Sequence, residues 1–485
     1  MSSAGLWMLL LLAILVVATG LPVWALLIGV ASAACALGLA GGVFESGILS
    51  AAGPRIVNLL EHDLLQAMPL YVFIGVLLQR LAVADALFAS ALRLFRPLGG
   101  QAPLAALAVG TLIAPMNGSV ASSSALLSRL VAPRLAGLDP ARAVALISVA
   151  ATIGVVVPPS LVLILLGDAM LRAHTEASNL PGYLLGGQRI VNTQDVFHAA
   201  LLPAAAVLAL WALVAWWQQR RAKEHAGLPP LSTGQAAAAL LTTITIVLLL
   251  AGVFTGRLFA VEAAATGGCL LAAITLVRGS LDVEQWREVL HDTLALSGAL
   301  FALLVGATTF SLVFRVFGTD RWLAQQVLAS PWSPLGTAAG VLLLVALCAW
   351  VLDAFEMIFV VIPIVAPLLI VELGDAQQAA VLLLMVLQLS FLLPPMGYAV
   401  LMARSRSGLP RVATAALLRA LAPFLAAQLS VAVLVFAWPG FAHLLDEAAM
   451  IRAPGTAPPS EQEIVRRMRE MSRQPAPEGE TEGKP

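Results

Sequence analysis

The chain is a series of long apolar runs that are separated by short polar segments. A continuous apolar run of this length predicts a helix that crosses a bilayer, because a soluble amphipathic helix keeps one polar face. Such runs cover residues 6–20, 24–42, 65–81, 200–217, 236–255, 258–277, 293–316 and 413–438. The pattern therefore predicts an all-α polytopic membrane protein, with the lipid bilayer as its main solvent.

Two further apolar segments are interrupted in the middle. Residues 101–133 contain Asn117 and Gly118 at their centre, and residues 143–167 contain the pair Pro158-Pro159. In hydrocarbon every backbone N–H and C=O needs an internal partner, and an unpaired group costs several kcal/mol. Irregular backbone therefore persists at membrane depth only where protein or a water-filled or ion-filled cavity covers it. We interpret the two interruptions as the halves of one binding site.

The first interrupted segment is predicted to be a re-entrant hairpin. Arg93 and Arg96 precede it and Arg134 and Arg142 follow it, and cytoplasmic flanks collect basic residues. Both ends therefore face the cytoplasm. Each arm has about 16 residues, roughly 24 Å at ~1.5 Å per residue, which is short of the ~30 Å hydrocarbon core. The tip then lies inside the membrane.

A second interrupted pair lies in the later half of the chain, in residues 334–370 and 378–403. Acidic residues dominate its flanks, so this hairpin is predicted to open to the periplasm. Its breaks have the same spacing as those of the first pair. The single shift in numbering that carries Asn117 onto Asp353 also carries Asp139 onto Asp375 and Pro158-Pro159 onto Pro394-Pro395. Inverted repeats whose broken helices meet at the midplane are typical of secondary transporters.

These features predict an order of segments along the chain. Scaffold helices (1–65) precede a first repeat (66–168) with hairpin 101–133 and broken helix 143–167. A periplasmic loop, connecting scaffold helices and an amphipathic arm (169–292) lead to a second repeat (293–412) with hairpin 334–370 and broken helix 378–403. A last transmembrane helix (413–440) and a polar tail (441–485) complete the chain.

The interruptions supply the candidate site residues. Na⁺ is a hard cation, and unwound carbonyls and hydroxyls provide oxygen ligands at the midplane without a buried charge. The first group is Asn117, Gly118 and Ser119 with Thr152, Val155 and Pro158, and the second is Asp353, Ala354 and Glu356 with Gln388, Ser390, Pro394 and Gly397. In the alternative interpretation, prolines kink ordinary helices and serines bond to their own backbone. Asp353 and Glu356 are open to cation binding, to proton relay, or to a solvated hairpin tip.

The composition narrows the class of protein to which the chain can belong. Of 485 residues, 60% are hydrophobic and only 11% charged, with a mean hydropathy of +0.94; soluble domains are about half apolar and a quarter charged. The net charge of zero argues against a nucleic-acid partner. The sequence shows no Walker loop, no metal-ligand spacing among its three cysteines, and no nucleophile–base pair, so neither ATP coupling nor an intramembrane enzyme is favoured.

Several motifs resemble one transporter family. They are GSVASSSALLSRLVAP at 118–133, LDPARAVALISVAATIGVVVPPS at 138–160, GVFTGRLFAVEAAA at 252–265, LDAFEMIFVVIPIVAP at 352–367 and FLLPPMGYAV at 391–400. Together they resemble the large membrane subunit of tripartite ATP-independent periplasmic (TRAP) transporters, in the mannitol/chloroaromatic-like branch. The similarity covers roughly residues 5–440 in order.

The resemblance implies a function and partners. It implies a Na⁺-coupled elevator in the bacterial inner membrane that imports a small organic anion, a carboxylate. It also implies a separate small four-helix membrane subunit and a periplasmic substrate-binding protein. Family Na⁺ ligands carry over to Asn117, Gly118, Ser119, Thr152 and Pro158. A single-component Na⁺/dicarboxylate symporter of related fold is the alternative.

This chain departs from the family pattern at three places. Asn117 stands where the family motif begins with Ser, and Ser123 stands where many members have Asp. The family's Thr-Pro-Thr-Glu segment is reduced to Phe259-Ala260-Val261-Glu262. A carboxylate role at position 123, and a substrate shared with the members that have it, are therefore not expected.

Overall fold

The computed structural model describes residues 4–43, 47–50, 52–61, 63–117, 120–135, 139–158, 160–180, 183, 191–219, 231–350, 352–394 and 397–445. These residues form helices and connecting turns only. The first half contains α1 (Ala4–Thr19), α2 (Val23–Ala40), α3 (Gly47–Ser50), α4 (Ala52–Leu60), α5 (Asp63–Arg80), α6 (Val83–Phe95), α7 (Gln101–Asn117), α8 (Val120–Val131), α9 (Pro140–Val156), α10 (Leu161–Ala177) and α11 (Thr193–Gln219).

The second half also consists of long and short helices. It contains α12 (Thr233–Phe254), α13 (Ala260–Val277), α14 (Val283–Val316), α15 (Thr319–Leu328), α16 (Pro334–Ala349), α17 (Ala354–Glu356), α18 (Ile362–Leu373), α19 (Ala376–Phe391), α20 (Tyr398–Arg406), α21 (Thr414–Ala437) and α22 (Gly440–His443). A π-helical turn, Met357–Val361, joins α17 to α18.

Seven helical stretches of the described residues are long and apolar enough to cross a membrane. The count reaches nine if each of two bent pairs, α5 with α6 and α9 with α10, forms one span. The α5–α6 pair bends by 71°, as expected where a spanning helix gives way to one that lies along the interface. The predicted class, an all-α polytopic membrane protein, is therefore confirmed.

Helix boundaries repeat at the offset that the sequence predicts. Asp139 accepts a backbone N–H at the start of α9, and Asp375 does the same for α19, so each acts as an N-cap. The repeat also extends beyond the interrupted segments. The same shift in numbering carries the last residue of α5, Arg80, onto the last residue of α14, Val316, and the start of α6 onto the start of α15.

The contacts between the halves are reciprocal. Helix α10 packs on α18, and the equivalent helix of the second half, α20, packs on α8. In the same way α2 packs on α14, and α13 packs on α5. When element A of one copy contacts element B of the other and the reverse contact is also present, the copies are related by a two-fold axis. The halves are therefore intertwined about a pseudo-two-fold axis.

The two hairpins enter the bundle from opposite ends. Helix α11 is 27 residues long, about 40 Å, so contacts with its two ends show which end of the bundle each hairpin is near. The indole N–H of Trp216, near its last residue, donates to the carbonyl of Leu98 at 2.8 Å, just before the first hairpin begins. Near its first residues, the carbonyl of Asp195 contacts the amide nitrogen of Gln377 at 3.5 Å, just after the second hairpin ends. The repeats are therefore inverted.

The positive-inside rule assigns a side of the membrane to the first hairpin. Arg220, Arg221 and Lys223 directly follow α11, which marks that end as cytoplasmic by the positive-inside rule. The first hairpin starts at this end. We call the opposite end, where α10 and α14 finish and α11 begins, the outer end.

Small residues allow the closest helix crossings. A Cβ on Gly306 of α14 would lie 2.9 Å from the backbone oxygen of Trp24 on α2, so only glycine permits this approach. Between α7 and α9, a Cβ on Gly110 would lie 2.8 Å from the backbone oxygen of Ala150. Close backbone approach of this kind is a usual basis of helix association in membranes. Lipid tails are as apolar as the helix surfaces, so the hydrophobic effect does not bring helices together there, and close packing must do so.

We expect Gly306→Val to destabilise the protein by about 1–3 kcal/mol, because the added carbons overpack the α2–α14 crossing. Gly298→Val is the matched control, since the same helix carries Gly298 with open space around it. Thermal unfolding of the two purified variants in detergent measures the difference. Equal melting temperatures for the two variants would show that the crossing is not as close as described.

Candidate cation and solute site

The interruption after α9 arises from the chemistry of proline. The backbone N–H of Val157 still donates to the carbonyl of Ile153 at 3.1 Å. Pro158 and Pro159 have no N–H, so the carbonyls of Gly154 and Val155 lose the donors that a continuous helix would supply. The chain then restarts as α10, where the hydroxyl of Ser160 accepts the N–H of Leu163 at 3.2 Å.

The interruption after α19 is fixed by more contacts than the interruption after α9. The carbonyl of Leu393 accepts the indole N–H of Trp350 at 2.8 Å and the N–H of Gly397, also at 2.8 Å. A Cβ on Gly397 would lie 2.7 Å from the carbonyl oxygens of Leu393 and Phe391, so glycine is required there. Trp350 follows α16 directly, and its bond therefore ties the second hairpin to this break.

The two interrupted helices meet directly. The side-chain amide of Gln388 donates to the backbone carbonyl of Thr152 at 3.2 Å, and these residues are 236 positions apart, which is the offset between the repeats. Each is therefore the repeat equivalent of the other. A residue contacts its own equivalent only on the symmetry axis. Both side chains are fully buried, so the pair lies in the interior of the bundle, on the pseudo-two-fold axis.

A residue outside the sequence prediction fixes this contact. The Gln428 amide nitrogen donates to the carbonyl of Met385 at 3.0 Å and to the side-chain oxygen of Gln388 at 2.7 Å. Because a backbone carbonyl can only accept, the NH₂ group of Gln428 must face it. Gln388 must then turn its own oxygen towards Gln428 and its NH₂ towards Thr152. Gln388 is thus a bridge between the repeats, and its oxygen is already engaged.

The tip of the second hairpin is a capping box. One carboxylate oxygen of Asp353 accepts the N–H of Ala354 at 2.7 Å, and one carboxylate oxygen of Glu356 accepts the N–H of Asp353 at 3.0 Å. These bonds satisfy the free N–H groups of the restarted helix. Both acids are half-buried. Each carboxylate oxygen has more than one lone pair, so both acids keep acceptor capacity beyond these bonds.

The tip of the first hairpin is described only in part. Helix α7 ends at Asn117 and α8 begins at Val120; Gly118, Ser119 and the side chain of Asn117 lie outside the described residues. The predicted ligands at this tip therefore stay predictions.

Helix α8 carries buried hydroxyls behind this tip. The hydroxyls of Ser124 and Ser128, one turn apart, have no hydrogen-bond partner among the described residues. Both side chains are buried, and buried polar groups are normally paired. Two unused oxygens therefore lie on the helix that packs against α9 and α20.

Other predicted ligands bond to their own helices, as in the alternative interpretation. The Thr152 hydroxyl donates to the carbonyl of Val149 at 2.9 Å, and the Ser390 hydroxyl donates to the carbonyl of Val386 at 2.8 Å. Donation uses only the hydrogen, so each hydroxyl oxygen keeps its lone pairs for a cation. The structure also buries Val155 and Pro158 beside Thr152.

The arrangement suits a small hard cation and an anionic solute. Carbonyl, hydroxyl and carboxylate oxygens are the ligands that hard cations prefer. Restarted helices such as α10 direct free N–H groups and the positive end of their dipole towards the breaks, which favours anionic groups. The groups at the junction are therefore of the kinds that bind hard cations and anionic solutes.

Comparison with known proteins agrees with this geometry. Residues 9–441 match the family described as the tripartite ATP-independent periplasmic transporter, DctM component. The chain belongs to this family. The resemblance inferred from the motifs is therefore confirmed at the level of the family, whose large subunits are permeases, and the chain is a multi-span protein of the bacterial inner membrane.

Two relatives span most of the chain. The C4-dicarboxylate TRAP transporter large permease protein DctM of Pseudomonas aeruginosa is 24% identical over 404 residues, covering 80% of this chain and 88% of its own. The sialic acid TRAP transporter large permease protein SiaM of Vibrio cholerae is 23% identical over 405 residues, covering 82% of this chain and 89% of its own.

A solved structure shares the fold. The YdaH transporter of Alcanivorax borkumensis, whose crystal structure was described as showing an unusual topology, superposes with a TM-score of 0.55 at 18% identity. The match covers 81% of this chain and 88% of that transporter. At this identity the likeness concerns the fold alone.

We expect Gln428→Leu to cost about 1–3 kcal/mol of stability, because it leaves the buried side-chain oxygen of Gln388 without its donor. Adding Gln388→Leu removes that unpaired oxygen, so the double variant should be less destabilised than the sum of the two single variants. Ser430→Ala, at an exposed position on the same helix, is the control. Thermal unfolding of all variants gives the coupling; strict additivity would contradict the amide bridge.

Proposed function

We propose that this chain is the permease subunit of a Na⁺-coupled importer of an organic acid, working as an elevator. A periplasmic binding protein delivers the solute, and a separate small four-helix membrane subunit completes the membrane assembly. The observation that carries the proposal is the contact of two inverted, interrupted helices at Thr152 and Gln388. Such an interior junction has oxygen ligands from both repeats. When the hairpins and broken helices move as one unit, the junction opens first to one side of the membrane and then to the other.

The choice of Na⁺ rests on the ligand chemistry. The junction offers carbonyls released by Pro158 and Pro159, hydroxyls with unused lone pairs, and the carboxylate oxygens of Asp353 and Glu356. Neutral oxygens stabilise a monovalent hard cation without the cost of burying several carboxylates. The two acids favour a cation near the second tip.

The choice of an organic acid rests on the relatives. The Pseudomonas protein is named for C4-dicarboxylates and the Vibrio protein for sialic acid, and both solutes are carboxylic acids. Restarted helices with free N–H groups provide favourable partners for a carboxylate.

The elevator mechanism is supported by the way the halves pack. Each half contributes a scaffold helix to the other, as in the α2–α14 and α13–α5 pairs. The hairpins and broken helices form a second set of contacts, α8 with α20 and α10 with α18. A unit made of hairpins and broken helices is thus distinguishable from the helices that surround it, which is what rigid-body movement requires.

We expect Thr152→Val and Asn117→Leu to abolish stabilisation of the purified protein by Na⁺. Binding at a hundredfold excess over Kd contributes about 2.7 kcal/mol, so the wild-type melting temperature should rise in NaCl relative to choline chloride. Thr152→Val removes only the hydroxyl and keeps the carbonyl that accepts Gln388.

Ser148→Ala is the matched control, because Ser148 is equally buried on the same helix and its hydroxyl bonds to Val144. It should keep the full Na⁺ response. An undiminished response in Thr152→Val, or an equal loss in Ser148→Ala, would remove the assignment of this cation site.

The alternative of a single-component Na⁺/dicarboxylate symporter differs in a measurable way. In proteoliposomes with an inward Na⁺ gradient, we expect no uptake of radiolabelled succinate or sialic acid by this chain alone. Uptake of the correct acid should begin only when a small membrane subunit and a binding protein are added. Na⁺-driven uptake by the chain alone would favour the single-component symporter.

A further inference from the structure

A cavity of about 1000 Å³ lies at the outer end of the bundle, between the two repeats. This volume is at the upper end of the range of small-molecule sites. The charged part of its lining comes from the region of α10, α14 and α15, and we call it the charged wall; the apolar part comes from α18, an arm of the second hairpin, and we call it the apolar wall. The charged wall includes Glu176, Arg315, Asp320 and Arg321, and the apolar wall consists of Pro363, Ile364, Pro367 and Leu368.

An exchangeable ion pair stands in the charged wall. The guanidinium of Arg315 on α14 pairs with the carboxylate of Glu176 on α10, and about a third of each side chain is exposed. Both residues line the cavity, so an occupant of the cavity can reach the exposed part of each side chain. Another carboxylate that reached Arg315 would supply the charge interaction that Glu176 gives up, and the exchange would therefore cost little net free energy.

A second guanidinium in the same wall is unpaired. Arg321 is exposed on α15, lines the cavity, and forms no hydrogen bond or ion pair with any described residue. Asp320 adjoins it, but one of its carboxylate oxygens is buried, so only the other oxygen can face an occupant. The charged wall thus holds two arginines and two acids, and of its two arginines Arg321 is the one that has no partner among the described residues.

The inner end lacks this arrangement at the equivalent position. Gln79 is the repeat equivalent of Arg315, and its amide donates to the hydroxyl of Ser122 at 2.7 Å. Ser122 belongs to the first hairpin, so on that side the side chain bridges directly to the hairpin. At the outer end Arg315 pairs with Glu176 instead. The arginine at this position is therefore specific to the outer side.

We propose that this cavity is a carboxylate-binding vestibule, distinct from the site at the helix interruptions. An incoming organic acid contacts Arg321, replaces Glu176 at Arg315, and places its carbon skeleton against the apolar wall of α18. The proposal rests on the proposed function only for its choice of a carboxylate as the occupant. It needs neither Na⁺ coupling nor movement of the hairpins.

A charge-selective labelling experiment tests the vestibule. Gln325 is exposed and lines the cavity, so Gln325→Cys introduces a reporter thiol, in a background with Cys35→Ala, Cys269→Ser and Cys348→Ala. Its reaction rates with sulfonatoethyl and trimethylammonioethyl methanethiosulfonate are measured in choline buffer and normalised to a free thiol. We expect the anionic reagent to react severalfold faster, because Arg321 lies one helical turn before position 325 on α15 and its guanidinium attracts anions to the reporter. Millimolar succinate should slow the reaction and succinamide should not.

Arg321→Gln and Arg315→Gln should each reduce the charge preference and the succinate protection severalfold. Arg287→Gln is the matched control: Arg287 lies on α14, as Arg315 does, and also forms an ion pair, with Glu284, but does not line the cavity, so both effects should persist. Equal rates for the two reagents, equal protection by succinamide, or equal losses in Arg287→Gln would overturn the proposal. Because Na⁺ is absent throughout, failure of Na⁺ coupling would leave these results unchanged.

Discussion

The fold depends on the requirement that every backbone polar group inside the bilayer has a partner. An interrupted helix breaks this requirement, and here side chains supply bonds both between the two repeats and within the second repeat. Gln388 of one repeat donates to the carbonyl of Thr152 in the other. Within the second repeat, Trp350 donates to the carbonyl of Leu393, and Asp353 and Glu356 cap the restarted helix of the hairpin. Because irregular backbone is stable in the bilayer only where protein or a cavity covers it, we infer that the two repeats must come together, and our proposal assigns the oxygens at their junction to a cation.

The same two-fold arrangement accounts for the possibility of two states. A structure with exact symmetry would present its central site equally to both ends, whereas an importer must present it to one end at a time. The symmetry is broken here between equivalent residues: Gln79 bonds to the first hairpin, and Arg315 pairs across to α10 beside a cavity. Weak, exchangeable contacts on the outer side and a close contact on the inner side provide two different interfaces, which is the condition for a conformational equilibrium that ligands can shift.

The repeat could be predicted from the sequence, because the residues that reveal it act on the backbone next to them. Proline lacks an N–H wherever it stands, and an aspartate before a helix caps it, so Pro158, Pro394, Asp139 and Asp375 reveal the same offset that the helices show. Gln428 could not be found in this way, since a single glutamine in an apolar helix has no spacing signal and its partner lies 40 residues away. The outer cavity is formed by four helices that are far apart in the sequence, so it could not be predicted from the sequence either. The Asp-x-x-Glu pattern at 353–356 is typical of a capping box. From the sequence, these two acids were considered only for cation binding, proton relay or a solvated hairpin tip. The amphipathic arm at 282–292 also proved continuous with the following span, as the single helix α14, because no breaker separates them.

The central claim is that two inverted, interrupted helices meet inside the bilayer and are joined there by Gln388 and Thr152. A cryo-EM map of the membrane assembly in NaCl, at a resolution that shows side chains, tests it most directly. The account predicts that helical density stops near Val156 and near Phe391, that the Gln388 amide lies on the Thr152 carbonyl, and that ion density lies beside the junction. Continuous helices through residues 157–160 and 392–397, facing lipid and separated from one another, would contradict it.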